Sequence, residues 1–266
     1  MNSLNSKKIQ DRATSSSFLK KRISFNKKYQ KINFVTWQYQ IYSKIISKFF
    51  DKKDFLKIKI LDVGSGDGLQ VSHFIKIFSN PEIWCLDYSK KSLNTIKKRF
   101  KSKNIKVIKL DMDNLQNFIK KRKLKKYFHI AHSSYALYYS KNQVKVLNSM
   151  KSSLVKKGLF LISAPSEPHE MVNFINKIYK IPNKVLNTLK FYKKVLIPYL
   201  KKNCQKSILK KKINYLNFNK TSEFIDFWKN TTYYNSKVVN KVTKKLKDRK
   251  SLKFKKISAI AAAINK

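Results

Sequence analysis

The sequence predicts an α/β fold in which helices cover both faces of a mostly parallel, seven-stranded sheet. Short apolar runs alternate with helix-like stretches between residues 58 and 164, a pattern typical of parallel strands joined by crossover helices. Three of the four glycines lie within residues 64–68, directly after the first apolar run. With 266 residues, 42% of them hydrophobic, the chain is long enough to bury the core of such a domain.

The elements follow in order from the amino terminus. Residues 1–20 are basic and polar and are predicted to be mobile. Apolar and aromatic residues recur at helical spacing over 34–50 and predict a packed helix. The core is predicted over 55–165, with strands at 58–63, 83–86, 107–110, 128–132 and 159–164 and helices at 69–78, 90–101 and 142–155.

Beyond Pro165 the alternation changes. Helical patches are interrupted by Pro182 and Pro198, and we expect segments 21–50 and 167–234 to form a helical cap over the carboxyl edge of the sheet. Within and after that cap the patterning predicts a strand at 213–218, a helix at 221–234 and a final strand at about 254–264. Residues 21–266 are thus expected to form a single domain.

The net charge of +47 is the most unusual property of the composition. Clustered basic residues bind nucleic acid or anionic membranes by neutralising phosphates. However, only five of the 61 basic residues are arginines, the residue favoured for bidentate phosphate and base contacts. We therefore favour a solvated basic surface, with polyanion binding as the alternative.

Several classes of protein are disfavoured. No run approaches the ~20 apolar residues of a membrane helix, and the amino terminus shows no apolar leader. Two cysteines are too few for a disulfide framework or a thiolate zinc site. We expect a cytoplasmic protein with no metal site; the oligomeric state stays open.

The spacing of the glycines limits the class of ligand that the turn could bind. A dinucleotide fingerprint would need its third glycine at Leu69, and no Gly-Lys-Ser/Thr of a phosphate-binding P-loop follows. The spacing is instead G-x-G-x-G over 64–68, with Asp62 two residues before it. An acid at that position suits a ligand that carries an ammonium group better than a pyrophosphate.

Residues 60–68, read as Ile-Leu-Asp-Val-Gly-Ser-Gly-Asp-Gly, resemble the first motif of the class I S-adenosylmethionine-dependent methyltransferases. The resemblance implies a Rossmann-like, doubly wound sheet and S-adenosylmethionine as cofactor. It places Asp62 near the cofactor's amino group, and Gly64, Ser65 and Gly66 against its methionine part.

Later positions are similar to the same family. Asp87 ends the second strand, where the resemblance implies contacts to both ribose hydroxyls. Asp111 and Met112 match the adenine site, with a carboxylate accepting from the amino group and a side chain packing on the ring. Segment 130–139, which includes Ser133, runs from the methionine end of the cofactor towards the substrate.

The catalytic residues are less determined. His132, Tyr138 and His169 are candidates for a base or a substrate contact. Each has a structural alternative, as a hydrogen-bonded histidine or as packing. An amine acceptor needs no dedicated base, so the transfer could run to an O, N or C atom.

Only the motifs that the sequence lacks limit the class of methyl acceptor. The chain has no Pro-Pro dipeptide, which removes the fourth-strand signature of many nucleobase and glutamine N-methyltransferases. It also has no appended RNA-binding module. We therefore expect a small-molecule or lipid-like acceptor. The alternative is an RNA- or anionic-membrane-binding protein on the same fold, including an RNA methyltransferase.

Overall fold

The computed structural model describes Arg12 and residues 15–51 and 58–266. The strands are β1 (Lys59–Val63), β2 (Glu82–Asp87), β3 (Ile105–Lys109), β4 (Phe128–Ser134), β5 (Leu154–Ser166), β6 (Cys204–Asn217) and β7 (Lys253–Asn265). The helices are α1 (Ser16–Tyr29), α2 (Phe34–Phe49), α3 (Leu69–Ile77), α4 (Lys90–Arg99), α5 (Leu115–Lys121), α6 (Gln143–Ser153), α7 (Glu170–Ile178), α8 (Asn183–Phe191), α9 (Ile197–Asn203), α10 (Thr221–Lys229) and α11 (Val239–Lys247).

The strands form one mixed, mostly parallel sheet in the order β3-β2-β1-β4-β5-β7-β6. The pairs β1–β2, β1–β4, β2–β3 and β4–β5 are all parallel. The strand order therefore reverses between β1 and β4. In open α/β sheets, ligands bind in the crevice beyond the strand ends at such a reversal. The predicted doubly wound fold is confirmed.

The element boundaries differ from prediction at several places. β5 and β6 begin earlier than expected, at Leu154 and Cys204, and α5 and α11 were not predicted. Most of the predicted mobile segment 1–20 lies outside the described residues, but α1 already begins at Ser16. β6 is an edge strand whose residues are mostly exposed. Its lysines hide the apolar alternation on which strand prediction depends.

Contacts divide the described part of the chain into two compact units, and the single domain stays a prediction. The described residues within 35–164, 191–210 and 259–266 form the sheet unit, and those within 1–34, 165–190 and 211–258 form the aromatic unit. The predicted cap segments are divided between both units, so their role as a cap stays a prediction. None of the helices in the described part of the chain has the length and apolarity needed to cross a membrane.

The core of the sheet unit lies on both faces of its strands. Leu61 and Val63 belong to one buried cluster, whereas Ile60 belongs to another. Alternate residues of a strand face opposite sides, so these clusters cover opposite faces of the sheet. This packing holds the carboxyl ends of the strands in place.

Seven of the 17 buried residues in the core of the aromatic unit are aromatic. Phe224 is fully buried and lies 5.2–6.1 Å, centroid to centroid, from the rings of Phe174, Phe218 and Phe254. Such tilted and edge-on contacts add to the stabilisation from buried area. This unit has a hydrophobic core of its own.

Candidate functional site

The glycine turn joins the end of β1 to α3. Gly64, Gly66 and Gly68 have φ angles of 75°, 52° and 80°, a region that residues with a Cβ rarely adopt. At Gly64 the space also excludes a side chain, because a Cβ there would lie 2.2 Å from the Cβ of Ala136. The turn is therefore a tight loop without side chains at its glycines, so a ligand can come close to its backbone.

The turn is held by the end of β2. The backbone N–H groups of Gly64 and Ser65 donate to the carbonyl of Leu86, at 2.7 and 3.1 Å. The Asp87 carboxylate accepts from Gly66 N and Ser89 N, both at 2.8 Å. Burial raises the pKa of Asp87, and the charges of Asp62 and Asp67 add to that rise, while the two N–H donors oppose it.

The acid that precedes the turn is fully buried. Asp62 Oδ1 accepts from His132 Nδ1 at 2.7 Å, and β1 and β4 place the two residues opposite one another in register. Asp62 Oδ2 is buried and has no hydrogen-bond partner. An unpaired buried carboxylate oxygen is costly, so this atom is poised to accept a donor from a ligand.

His132 is bonded at both ring nitrogens. Because a carboxylate can only accept, Nδ1 carries the proton that is donated to Asp62, and Nε2 shares a hydrogen bond of 2.9 Å with the Tyr42 hydroxyl. Gln38 Nε2 lies 2.8 Å from the Tyr42 hydroxyl and 2.8 Å from Ser163 Oγ. His132 and Tyr42 have no exposed surface. This chain of side chains fixes the orientation of Asp62.

Sequence reasoning did not find Gln38 and Tyr42 as site residues. They are one helical turn apart on α2, which supplies mostly apolar residues to the core. A polar side chain on a buried helix face needs a partner. That rule would have marked Gln38, although not its partners on β4 and β5.

The remaining predicted cofactor residues lie beside the turn. Met112 Cε would be 3.9 Å from a Cβ at Gly64, and Ser133 Oγ donates to the carbonyl of Val63 at 2.7 Å. Asp111 Oδ1 accepts from Asp113 N at 3.0 Å, which starts the 3-10 turn Met112–Asn114. The ends of β1 and β2 and the segments that follow β3 and β4 therefore meet at one edge.

Asp67, the residue between the second and third glycines of the turn, does not cap α3. The residue at the start of α3 is Gly68, and no side chain caps it. Asp67 Oδ1 is buried without a hydrogen-bond partner. It is the second unpaired carboxylate oxygen at the turn.

The other catalytic candidates occupy separate environments. Tyr138 is partly buried in the 3-10 turn Leu137–Tyr139, and its ring lies 4.6 Å from Tyr139 and 6.2 Å from Phe191. His169 belongs to the aromatic unit, where it precedes α7. Burial, together with the charge of Lys256, lowers the pKa of His169 to about 3.

The site fits an adenosyl ligand with an amino-acid tail. Two carboxylate oxygens without partners lie at a turn whose first glycine has no room for a side chain. The carboxylates of Asp62, Asp87 and Asp111 line successive strand ends and can accept from an ammonium, from hydroxyls and from an amino group. Within the described ranges, no three His, Cys, Asp or Glu side chains are grouped so as to hold a metal ion.

Comparison with known proteins gives the family. The sequence model of the methyltransferase domain matches residues 55–256. The chain therefore belongs to the methyltransferase-domain family, and its fold is that of the class I S-adenosylmethionine-dependent methyltransferases. No curated protein matches the chain in sequence.

Solved structures share the fold at low sequence identity. The YcgJ protein of Bacillus subtilis superposes with a TM-score of 0.56 at 11% identity, over 87% of this chain and 99% of its own. A putative methyltransferase of Bacillus halodurans gives 0.52 at 14%, over 80% and 98%. The phosphoethanolamine N-methyltransferase 2 of Haemonchus contortus, bound to phosphomonomethylethanolamine and S-adenosylhomocysteine, gives 0.51 at 13%, over 84% and 52%.

Proposed function

We propose that this protein is an S-adenosylmethionine-dependent methyltransferase that transfers a methyl group to an O, N or C atom of a small or amphipathic acceptor. The observation that carries the proposal is the buried Asp62 carboxylate at the glycine turn. One of its oxygens is fixed by His132 and the other has no partner. A ligand ammonium would satisfy that oxygen.

Each residue of the site contacts a different part of the cofactor. Asp62 accepts from the ammonium group, and Gly64, Ser65 and Gly66 allow the methionine part to approach the backbone. Asp87 accepts from the ribose hydroxyls, while Asp111 and Met112 hold the adenine and Ser133 braces the end of β1. The bound cofactor supplies an electrophilic methyl group, and the protein contributes alignment and exclusion of water.

His132 acts in this proposal as a positioning residue. Both of its ring nitrogens are engaged and its side chain has no exposed surface, so it supports Asp62 and does not take a proton from the acceptor. Tyr138 is the remaining candidate in the sheet unit for a substrate contact. An amine acceptor in its neutral form would need no base.

A small acceptor is consistent with the similarity to the Haemonchus enzyme, whose structure contains a small phosphorylated amine. That similarity extends to fold alone. We therefore propose a small or amphipathic methyl acceptor and a cytoplasmic location for the protein.

The alternative function, binding of RNA or an anionic membrane, rests on the net charge of +47. The arginines give it little support. The guanidinium groups of Arg12, Arg99 and Arg249 lie 4.6–5.5 Å from the centroids of phenylalanine and tyrosine rings of this same chain. The lysines on the exposed edge strand β6 have another role, because charged side chains at a sheet edge discourage edge-to-edge aggregation. That role requires no bound polyanion.

The decisive experiment is a methyl-transfer screen with labelled cofactor across metabolite, lipid and RNA fractions. Wild type should label a component of the metabolite or lipid fraction, whereas Asp87→Ala should not. Asp226→Ala, which removes an exposed carboxylate that pairs with Lys229, is the matched control and should label as wild type does. Labelling confined to RNA would support the alternative, and no labelling at all would count against an active enzyme.

A further inference from the structure

The loop that joins β4 to α6 (135–142) is held at its start by the glycine turn. The Ala136 Cβ fills the space that a side chain at Gly64 would need. Tyr135, just before it, has a φ angle of 55°, which is uncommon for a bulky residue. Its N–H donates to the carbonyl of Ser163 at 2.9 Å. Backbone strain of this kind persists where the surrounding structure holds a residue in place, so the start of the loop is held in one conformation.

The end of the same loop is held by a carboxylate from the segment that follows β3. Ser140 Oγ donates to Asp113 Oδ1, and the Lys141 N–H donates to both carboxylate oxygens, each at 3.2 Å. Ser140 Oγ in turn accepts from Asn142 N at 3.0 Å. Hydrogen bonds to an ionised carboxylate are roughly twice as strong as those between neutral groups. Asp113 therefore anchors two successive residues of the loop directly and a third through Ser140.

Asp113 belongs to the turn that carries the two residues proposed to hold the adenine. It follows Asp111 and Met112 directly, and its N–H donates to Asp111 Oδ1 at 3.0 Å. The N–H of Asn114 donates to the carbonyl of Asp111 at 2.9 Å, which closes the turn. Because the turn is short and bonded internally, a displacement would move these side chains together. One turn thus carries the proposed adenine contacts and the carboxylate that holds the loop.

The loop carries two tyrosines between its anchors. Leu137 is buried and packs in the core of the sheet unit, whereas Tyr138 and Tyr139 are half-buried, with their ring centroids 4.6 Å apart. The N–H of Tyr139 donates to the carbonyl of Ala136 at 2.9 Å. A tyrosine offers both an apolar ring and a hydroxyl group, so this pair suits contact with a small or amphipathic molecule.

We propose that Asp113 is a positioning residue for the methyl acceptor, because it ties the loop that carries Tyr138 and Tyr139 to the adenine side of the cofactor site. The proposal rests on the proposed function. Adenine binding fixes the turn of Asp111 and Met112, the turn fixes the Asp113 carboxylate, and the carboxylate fixes the loop. Bound cofactor therefore orders the two tyrosines before the acceptor arrives. All of these residues lie in the sheet unit.

This link couples the two ligands of the site. A ligand orders a loop only to the extent that it binds the ordered form better. An acceptor that meets a loop already ordered by the cofactor loses less conformational entropy on binding. If the link through Asp113 is cut, the cofactor still binds through its own contacts, but the loop no longer responds to it.

Amide hydrogen–deuterium exchange of the full chain tests the link, with and without S-adenosylhomocysteine, which has no methyl group to transfer. In wild type, saturating S-adenosylhomocysteine should slow exchange at least about 10-fold in the peptides that cover 64–68 and 137–142. In Asp113→Ala the slowing should persist over 64–68 and vanish over 137–142. The affinity of that variant for S-adenosylhomocysteine should stay within about 5-fold of wild type, because its cofactor contacts are kept.

Further variants separate this link from a merely structural role. Asp113→Asn keeps an oxygen acceptor in the same place and should restore part of the slowing over 137–142. Asp226→Ala removes an exposed carboxylate that pairs with Lys229 and should behave as wild type does in both peptides. If Asp113→Ala does not fold, Ser140→Ala decides in its place, because it removes the donor from the loop side, and it should also lose the slowing over 137–142.

The outcomes distinguish this proposal from the proposed function. Equal slowing over 137–142 in wild type and Asp113→Ala would overturn the link and leave the cofactor site intact. Loss of slowing over both 64–68 and 137–142 in Asp113→Ala would overturn it as well, because Asp113 would then act on cofactor binding itself. No slowing in either peptide of wild type would contradict the proposed cofactor binding, and the link with it.

Discussion

The sheet unit and the aromatic unit bury polar groups in different ways. In the sheet unit, Gln38, Tyr42, His132 and Asp62 bond to one another and leave one carboxylate oxygen unpaired at the glycine turn. In the aromatic unit, the half-buried Lys256 donates to the Asn26 amide, and His169 Nδ1 is buried with no partner among the described residues. The first arrangement is a supported acceptor, whereas the second is a partly exposed amine and a separate unpaired ring nitrogen.

The difference between the two units indicates where a ligand can bind. A buried polar group that neighbouring side chains satisfy contributes to the fold, while an unsatisfied one marks a place where a ligand completes the structure. Both units contain a buried atom without a partner, Asp62 Oδ2 in the sheet unit and His169 Nδ1 in the aromatic unit.

The largest effect is expected in the aromatic core. Phe224→Ala should lower the free energy of unfolding by about 3–5 kcal/mol, because it removes a fully buried ring and leaves a cavity. Chemical denaturation measures it. Ile23→Ala, at an exposed position of the same unit, should cost no more than about 0.5 kcal/mol. Similar values for both would mean that the rings do not form a packed core.

The next effect concerns the glycine turn. Gly64→Ala should cost about 2 kcal/mol or more, because the residue has a positive φ and its Cβ would collide with that of Ala136. Denaturation and cofactor binding should both report the loss. The double variant Gly64→Ala/Ala136→Gly should recover only that part of the lost unfolding free energy that comes from the collision between the two Cβ atoms. Full recovery by the double variant would show that the backbone angle carries no cost.

A pH effect is expected from His73, whose pKa is lowered by burial to about 4. The unfolded state takes up a proton near pH 6.5 and the folded state does not, so this group destabilises the fold increasingly as the pH falls from 6.5 towards 4. The protein should lose about 1–2 kcal/mol between pH 7 and 5 on this account. His73→Gln should flatten that part of the profile of stability against pH. An unchanged slope would contradict a buried neutral His73.

The smallest effect concerns the support of Asp62. His132→Asn should weaken S-adenosylmethionine binding about 10-fold, equivalent to ~1.4 kcal/mol, because the carboxylate loses its fixed orientation. His129→Asn, on the same strand, is the control and should bind as wild type does. Tyr42→Phe, which keeps the ring, should give a smaller loss. Equal affinities for His132→Asn and wild type would remove the positioning role.

Sequence predicted the sheet unit better than the aromatic unit for physical reasons. Positive φ requires glycine, and a strand buried on both faces must be apolar, so the turn and the first strands leave local signals. Those signals located β1 to β4 to within a few residues. The Asp62–His132 contact is different, because it depends on the register of two strands that are 70 residues apart.

The parts not predicted differ in their local signal. α5 is only seven residues long and β6 is mostly exposed, so their apolar periodicity is weak. α11 does carry a helical pattern, with Val239, Val242 and Leu246 on one face, so it was predictable and was missed.

Equilibrium titration with S-adenosylmethionine tests whether the acidic strand ends bind this cofactor. We expect saturable one-site binding by wild type, and at least about 100-fold weaker binding by Asp87→Ala, since two charge-assisted hydrogen bonds are lost. Asp226→Ala should match wild type. No saturable binding by wild type, or equal affinity in Asp87→Ala, would rule out the proposed cofactor site.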